Sequence, residues 1–246
     1  MDLRWHHNAY SNIIPNEANL GRLLVSFTDQ LRKRAQAIWD AQLKHPFVRA
    51  LGQGTLPTQK FRYYILQDAQ YLEELARVFA LGANRAHDPD TALHFAKLVE
   101  ETIIVERGLH ETYGKKWKLS PKAIRSTPLS PTNYAYCRHM RSVAQTGTLA
   151  ELTVVALPCA WVYCVVGQHL LRKGEPSPKH PYRDWLLLYG SPEFAEVTHW
   201  MRTLVDREAK AAGKVEKRRM IDIFLTSSRY EWMFWDMAWR EEQWPV

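Results

Sequence analysis

A cysteine lies next to a proline in the most apolar stretch of this chain. The run from Leu152 to Val166 carries no charge and predicts a buried helix, from which Pro158 removes one backbone hydrogen bond. Cys159 follows the proline directly, and Tyr163 lies one helical turn further on, on the same face. The thiol is either a nucleophile in a pocket or an inert core residue. Apolar surroundings taken alone favour the inert residue, because they disfavour the thiolate.

The other two cysteines are interpreted as small apolar core residues. Cys164 is rotated by about 140° from Cys159 around the same predicted helix, so the two thiols do not share a face. Three cysteines, the third being Cys137, without a CxxC motif argue against a disulfide framework or a zinc knuckle. We therefore expect reduced thiols in a cytoplasmic protein, and the N-terminus carries no hydrophobic signal segment.

One carboxylate points inward from the predicted helix 58–85. Asp68 lies on the apolar face of this helix, with Tyr71 about one turn further on, while Arg77 projects from the opposite side. The apolar face is formed by Phe61, Tyr64, Leu72, Leu75 and Phe79. A buried carboxylate is costly unless it is paired or used. Asp68 is therefore either a functional group or a core aspartate that bonds a neighbouring tyrosine, and the pattern leaves both open.

A second inward carboxylate lies on the last predicted helix, 212–241. Asp222, Arg229 and Asp236 recur every seven residues and mark the solvent face, whereas Glu231 points about 160° away from them. Its own side carries Met220, Phe224, Ser227, Phe234 and Ala238. Desolvation should raise the pKa of this glutamate, which suits a general acid or base near neutral pH. The alternative is an ion pair with an inward arginine or lysine, and the inner faces offer no evident candidate.

A metal centre is the main alternative chemistry. Glu106 and His110 share a face of the predicted helix 89–113 and could ligate a metal. Glu196 and His199 have the Glu-x-x-His spacing of carboxylate-bridged di-iron bundles, but they lie off the apolar face of their helix and are predicted to be solvated. The metal hypothesis therefore lacks ligands, and we expect neither a metal nor a cofactor.

Apolar residues recur at three- and four-residue spacing almost throughout the 246 residues, which predicts helices. The candidate groups above are therefore expected to lie on helices. The predicted helices are 19–44, 58–85, 89–113, 131–146, 149–172, 191–210 and 212–241, with shorter pieces near 47–52 and 181–187. Apolar residues make up 46% of the chain, enough for a single large core. We predict a lead segment over 1–18 and one all-α domain of about seven long helices over 19–246.

Charge and hydropathy argue against two classes of partner. The formal net charge is +7, but the basic clusters are short and scattered among acids, and no nucleic-acid-binding motif accompanies them. The charge-free run 152–166 is shorter than the ~20 residues that cross a bilayer. We expect neither a nucleic-acid nor a membrane partner.

A series of local motifs resembles, in order and spacing, the TenA (thiaminase II) family over most of the chain. The motifs are His45–Val48, Gly54–Pro57, Phe61–Tyr64, Gln67–Leu72, Pro131–Tyr136, Leu157–Tyr163, His180–Trp185 and Ser227–Trp235. Each is weak alone, and together they are specific. The resemblance implies the heme-oxygenase-like all-α fold, a homotetramer and, since Cys159 is retained, the cysteine-bearing branch of the family.

The resemblance also assigns roles by matching position. Cys159 would be the nucleophile, Glu231 the catalytic glutamate and Asp68 the group that contacts the pyrimidine. Aromatic substrate-binding positions fall on Tyr71, Tyr136, Tyr163, Tyr189 and Phe234. Tyr136 and Tyr189 rest on the resemblance alone.

The implied reaction is hydrolysis of 4-amino-5-aminomethyl-2-methylpyrimidine, or of thiamin itself, to 4-amino-5-hydroxymethyl-2-methylpyrimidine by covalent cysteine catalysis. Two alternatives stay open. One is a metal-dependent oxidase on the same scaffold that uses Glu106, His110, Asp68 and Glu231. The other is a pyrimidine-binding regulatory protein without catalytic activity.

Overall fold

A computed structural model describes residues 25–118 and 120–246, without the side chains of residues 105–107, 109–115 and 121. In this part of the chain the backbone forms eleven α-helices and no β-strand, which confirms the all-α prediction. The helices are α1 (Phe27–Arg34), α2 (Gln36–Lys44), α3 (Pro46–Gln53), α4 (Thr58–Arg85), α5 (Pro89–Trp117), α6 (Pro121–Arg125), α7 (Pro131–Thr146), α8 (Leu149–Leu171), α9 (Arg183–Tyr189), α10 (Pro192–Ala211) and α11 (Lys214–Arg240). The predicted lead segment 1–18 lies outside the described residues.

Serine–proline pairs begin two of the long helices. The Ser130 side chain accepts the backbone N–H of Asn133 at the start of α7, and Ser191 does the same for Phe194 in α10. In both helices the proline occupies the first turn, where no intrahelical donor is needed. These caps fix where α7 and α10 begin. They therefore also fix the positions of the α7 and α10 side chains along the bundle axis.

Two features of the helix pattern differ from the prediction. The single helix expected over 19–44 is divided, because Ala35 leaves the helix with φ −86° and ψ 2° between α1 and α2. No proline or glycine marks that break. The short helix α6 was not predicted at all. As a result six helices of 16 residues or more make up the bundle in the described part of the chain, rather than about seven.

Helix α8 is the central helix and packs against α4, α7, α9, α10 and α11. By length and composition it could cross a membrane, but 89% of its most apolar window is buried inside the protein. Its apolar composition is therefore that of a core helix. Pro158 lies within α8 without ending it, although the carbonyl four residues earlier loses its donor. The packed neighbours hold the helix continuous, so that Cys159 and Tyr163 keep their common face.

Candidate active site

A cavity of about 100 Å³ lies between α4, α5, α8, α9 and α10. Four predicted site residues line it: Asp68 from α4, Cys159 and Tyr163 from α8, and Tyr189 from α9. The remaining wall is mostly apolar, with Leu72, Leu75, Phe79, Leu98, Ala156, Ala160, Leu188, Phe194, Val197 and Met201, and adds Glu101 and Thr102 from α5. The fold thus brings the thiol and one of the two predicted carboxylates to a common cavity.

Cys159 differs from the other two cysteines in its surroundings. It is partly accessible and lines the cavity, whereas Cys137 and Cys164 are buried and do not. All three are free thiols. Burial raises the pKa of the Cys159 thiol well above its ordinary value, and the negative charges of Glu231 and Asp68 raise it further. The thiol is therefore protonated in the empty site, and a nucleophilic role requires that its proton be taken up when substrate binds.

Asp68 is a buried carboxyl group whose Oδ2 has no hydrogen-bond partner among the described residues. The structure therefore does not support the alternative of a core aspartate satisfied by a neighbouring tyrosine. Burial raises its pKa to about 7. An unsatisfied buried acceptor on a cavity wall costs stability, which is typical of a group that a ligand satisfies.

Glu231 projects from α11 into the core, and its partner is a tyrosine rather than a cation. The hydroxyl of Tyr136 in α7 donates to Oε1 of Glu231 over 2.5 Å. Burial raises the pKa of Glu231 to about 8; the Tyr136 bond lowers it, and the charge of Asp68 raises it. The raised pKa predicted from the aromatic surroundings is confirmed. Glu231 does not line the cavity itself but is close enough to Cys159 for its charge to raise the thiol pKa.

The remaining aromatic positions form two groups. Tyr71 packs against Tyr136 and Phe234, with ring centroids 5.1 Å and 5.7 Å apart. On the cavity wall, Tyr163 packs edge-on against Tyr189 at 4.8 Å. Tyr71, Tyr136 and Phe234 adjoin the wall without lining it. The buried Tyr71 hydroxyl has no hydrogen bond of good geometry among the described residues, and a bond from it to Cys159 would lower the pKa of the thiol.

A directed chain of hydrogen bonds ends at Tyr163, and no pattern in the sequence predicted it. The indole N–H of Trp185 donates to the hydroxyl of Tyr64 over 3.3 Å, and Tyr64 donates to the hydroxyl of Tyr163 over 3.1 Å. Indole is a donor only, so Tyr64 is the acceptor in the first bond. Tyr64 is the donor in the second bond, which leaves the Tyr163 proton available to the cavity. Tyr64 and Trp185 both occur in motifs that carried the family resemblance, and Tyr64 also lies on the predicted apolar face of its helix. Neither signal pointed to a bond between them.

The described side chains contain no group of three or more histidine, cysteine, aspartate or glutamate residues arranged to hold a metal ion. Glu196 and His199 are exposed, as predicted. The side chains of Glu106 and His110 lie outside the described residues. No structural observation therefore supports a metal site around Asp68 or Glu231 in the described part of the chain.

The structure is that of a helical-bundle protein in which a thiol, a buried carboxyl group of raised pKa and two tyrosines line one small cavity. A second buried carboxyl group of raised pKa, Glu231, lies near the thiol. The chain belongs to the TENA/THI-4/PQQC family, whose model matches residues 32–241. This match confirms the family resemblance.

Curated relatives and solved structures agree with this membership. The chain is 41% identical over 222 residues to an aminopyrimidine aminohydrolase of Halalkalibacterium halodurans, covering 89% of this chain and 98% of that protein. It is 34% identical over 221 residues to one of Bacillus subtilis, covering 89% and 92%. A TenA homologue from P. horikoshii superimposes with a TM-score of 0.78 at 33% identity, covering 88% of this chain and 99% of the other. A Shewanella denitrificans domain with a heme oxygenase-like fold, 14% identical with a TM-score of 0.67, supports the fold.

Proposed function

We propose that this protein is an aminopyrimidine aminohydrolase of thiamin salvage. It would replace the exocyclic amine of 4-amino-5-aminomethyl-2-methylpyrimidine with a hydroxyl group from water. The observation that carries the proposal is the position of Cys159 and Asp68 on one cavity wall, with Glu231 within electrostatic reach of both. Relatives that carry this name match nearly their whole length to the chain, which supports the same reaction.

The relatives favour the aminomethylpyrimidine over intact thiamin, because they are named for the aminopyrimidine reaction. The cavity is also small, with a volume of about 100 Å³, whereas pockets for drug-sized ligands commonly have volumes of ~300–1,000 Å³. We therefore propose the single-ring compound as the preferred substrate.

Each polar group has a role that its protonation state supports. Glu231, with a pKa of about 8, is largely protonated at neutral pH and can give a proton to a ring nitrogen. Asp68, with a pKa of about 7, is partly ionised and can accept hydrogen bonds from the ring amine. Tyr163 and Tyr189 would orient the heterocycle against the thiol through ring contacts.

The proposed chemistry is covalent catalysis by Cys159. The thiol proton passes to a pocket carboxylate, of which Asp68 is the more ionised at neutral pH, and the sulfur bonds an electron-poor ring carbon as Glu231 protonates the ring nitrogen. The bond between the exocyclic carbon and the protonated amine then breaks, and its electron pair leaves with the nitrogen as ammonia. Water adds to the exocyclic carbon, and the ammonia takes up the proton that this water loses. The ring nitrogen returns its proton to Glu231, and the sulfur departs to regain the thiol proton.

The test is release of hydroxymethylpyrimidine from the aminomethyl compound and from thiamin, with the Cys159→Ala variant beside the wild type. We expect at least a hundredfold loss of turnover in this variant. Cys164→Ala is the matched control, because Cys164 is a buried thiol on the same helix that does not line the cavity. Near-normal turnover by Cys159→Ala would remove the nucleophile from the proposal, and no turnover by the wild type would refute the reaction.

Two other functions make different predictions for the same protein. A metal-dependent oxidase would contain stoichiometric iron or manganese by elemental analysis, and a regulatory binding protein would bind the pyrimidine without ever forming product.

We further propose a cytoplasmic homotetramer, which rests on the family resemblance. Light scattering coupled to gel filtration tests the assembly.

A further inference from the structure

One carboxylate on the cavity wall has no place in the chemistry above. Glu101 lies on α5, between Leu98 and Thr102 on the wall formed by that helix, and is partly buried. Its side chain makes no hydrogen bond or ion pair with another described residue, and burial raises its pKa. Two exposed residues of the same helix also act on this pKa: the charge of Lys97 lowers it and that of Glu100 raises it. An acid on a mostly apolar wall is thus left without a direct partner.

The register of α4 and α5 gives the position of Glu101 relative to Asp68. The two helices pack together as an antiparallel hairpin, and the rings of Phe79 and Phe95 meet with centroids 6.3 Å apart. Glu101 follows Phe95 by six residues and therefore lies level with Glu73 on α4, five residues beyond Asp68. At 1.5 Å per residue this offset is ~7.5 Å along the helix axis. The two acids thus lie at different levels of the same cavity.

The charge of the cavity wall selects the kind of ligand. Among the described residues that line it, two are carboxylic acids and none is lysine, arginine or histidine. Most of the other lining residues are apolar, among them Leu72, Leu75 and Leu98. A cationic group entering this space therefore meets a carboxylate with little competition from other polar groups, whereas a neutral group gains no charge pairing there.

We propose that Glu101 is a specificity-determining residue that binds the protonated exocyclic amine of the substrate. This inference rests on the proposed function. An alkyl amine is protonated at neutral pH, as the lysine side chain is. The hydroxymethyl product has the same ring but no such charge. Glu101 therefore favours substrate over product, while Asp68 contacts the ring that both compounds share.

The test compares binding of the amine and of the alcohol by calorimetric titration, in the Cys159→Ala background so that no turnover occurs. We expect Glu101→Gln to weaken binding of the amine about tenfold and to leave binding of the alcohol within twofold. Asp90→Asn is the matched control, because Asp90 carries the same charge on the same helix but is exposed and does not affect the pKa of Glu101. It should change neither affinity.

The outcomes separate this inference from the proposed function. If the wild type hydrolyses the amine but Glu101→Gln leaves its affinity unchanged, the reaction stands and the role of Glu101 is refuted. An equal loss of affinity for both compounds also refutes it, since that result indicates a general disturbance of the cavity. If the amine binds through Glu101 without any turnover by the wild type, the reaction is refuted instead. Failure of both compounds to bind refutes both.

Discussion

The hydroxyl of Tyr136 donates to Oε1 of Glu231 over 2.5 Å, and this bond joins α7 to α11 in the core. Tyr136 is itself held by stacking on Tyr230, with ring centroids 5.0 Å apart and planes 10° from parallel. Tyr136 thus fixes the orientation of Glu231. The ring of Tyr136 is in turn held by Tyr230, which directly precedes Glu231 in the chain. Although the bond favours the ionised carboxylate, burial outweighs it and leaves Glu231 with a pKa of about 8.

Removing this donor should shift the pH dependence of the reaction. In Tyr136→Phe the carboxylate loses its hydrogen bond, so the pKa of Glu231 rises above about 8. Because the reaction needs Glu231 protonated, the alkaline limb of kcat/KM moves to higher pH, and kcat falls about tenfold as the glutamate loses its fixed orientation. Tyr134→Phe, at an exposed position of the same helix, is the control. An alkaline limb that does not move would show that it does not report Glu231.

The raised pKa of Glu231 also predicts how stability varies with pH. The folded state binds this proton more tightly than the unfolded state, so the stability from this group is complete below pH ~4.5 and is lost as the pH rises through about 8. Glu231→Gln stays neutral and avoids this loss. The Tm of the variant minus the Tm of the wild type should therefore be several degrees larger at pH 9 than at pH 5. Scanning calorimetry measures this, with the exposed Asp222→Asn on the same helix as control. A constant Tm difference would contradict the assignment.

Periodicity predicted the inward groups well, because a core-facing position on a helix depends only on the spacing of its neighbours. Asp68 and Glu231 are both buried as expected, and α4 has the predicted bounds Thr58–Arg85. The same reasoning failed at Ala35, where the helix ends without proline or glycine. Tertiary packing determines where this helix breaks, and the spacing of residues in one sequence carries no information on that packing.

The partners of these groups were less predictable than the groups themselves. The sequence offered no cation for Glu231 and gave no reason to choose Tyr136, since the two are 95 residues apart and meet only through the packing of α7 on α11. Glu101 was missed for a similar reason. It lies at the edge of the apolar face of α5, and its position on the cavity depends on how α5 packs against α4.

The hydrogen-bond chain to Tyr163 predicts that removing the Tyr64 hydroxyl lowers both stability and kcat/KM. Tyr64→Phe leaves the buried N–H of Trp185 without its acceptor, which should cost ~1–3 kcal/mol of unfolding free energy. It also removes the hydrogen bond that holds Tyr163 in place, so the Tyr163 ring orients the heterocycle less well and kcat/KM should fall about tenfold. Tyr182→Phe is the control, because its buried hydroxyl donates to the Leu56 carbonyl away from the cavity. That variant should lose stability while keeping kcat/KM, and equal kinetic losses in both variants would contradict a specific role for Tyr64.

The high pKa of the Cys159 thiol predicts its reactivity toward alkylating reagents. The thiolate is the reactive form, so labelling of the empty site by iodoacetamide should be slow at pH 7 and still accelerate at pH 9. Cys159 should be labelled before Cys137 and Cys164, which are buried, and hydroxymethylpyrimidine should protect it. Mass spectrometry of digests measures the label at each position, with Cys159→Ala as the blank. A rate that levels off below pH 8 would instead indicate a thiolate already stabilised in the empty site, and the proton transfer proposed on substrate binding would then be unnecessary.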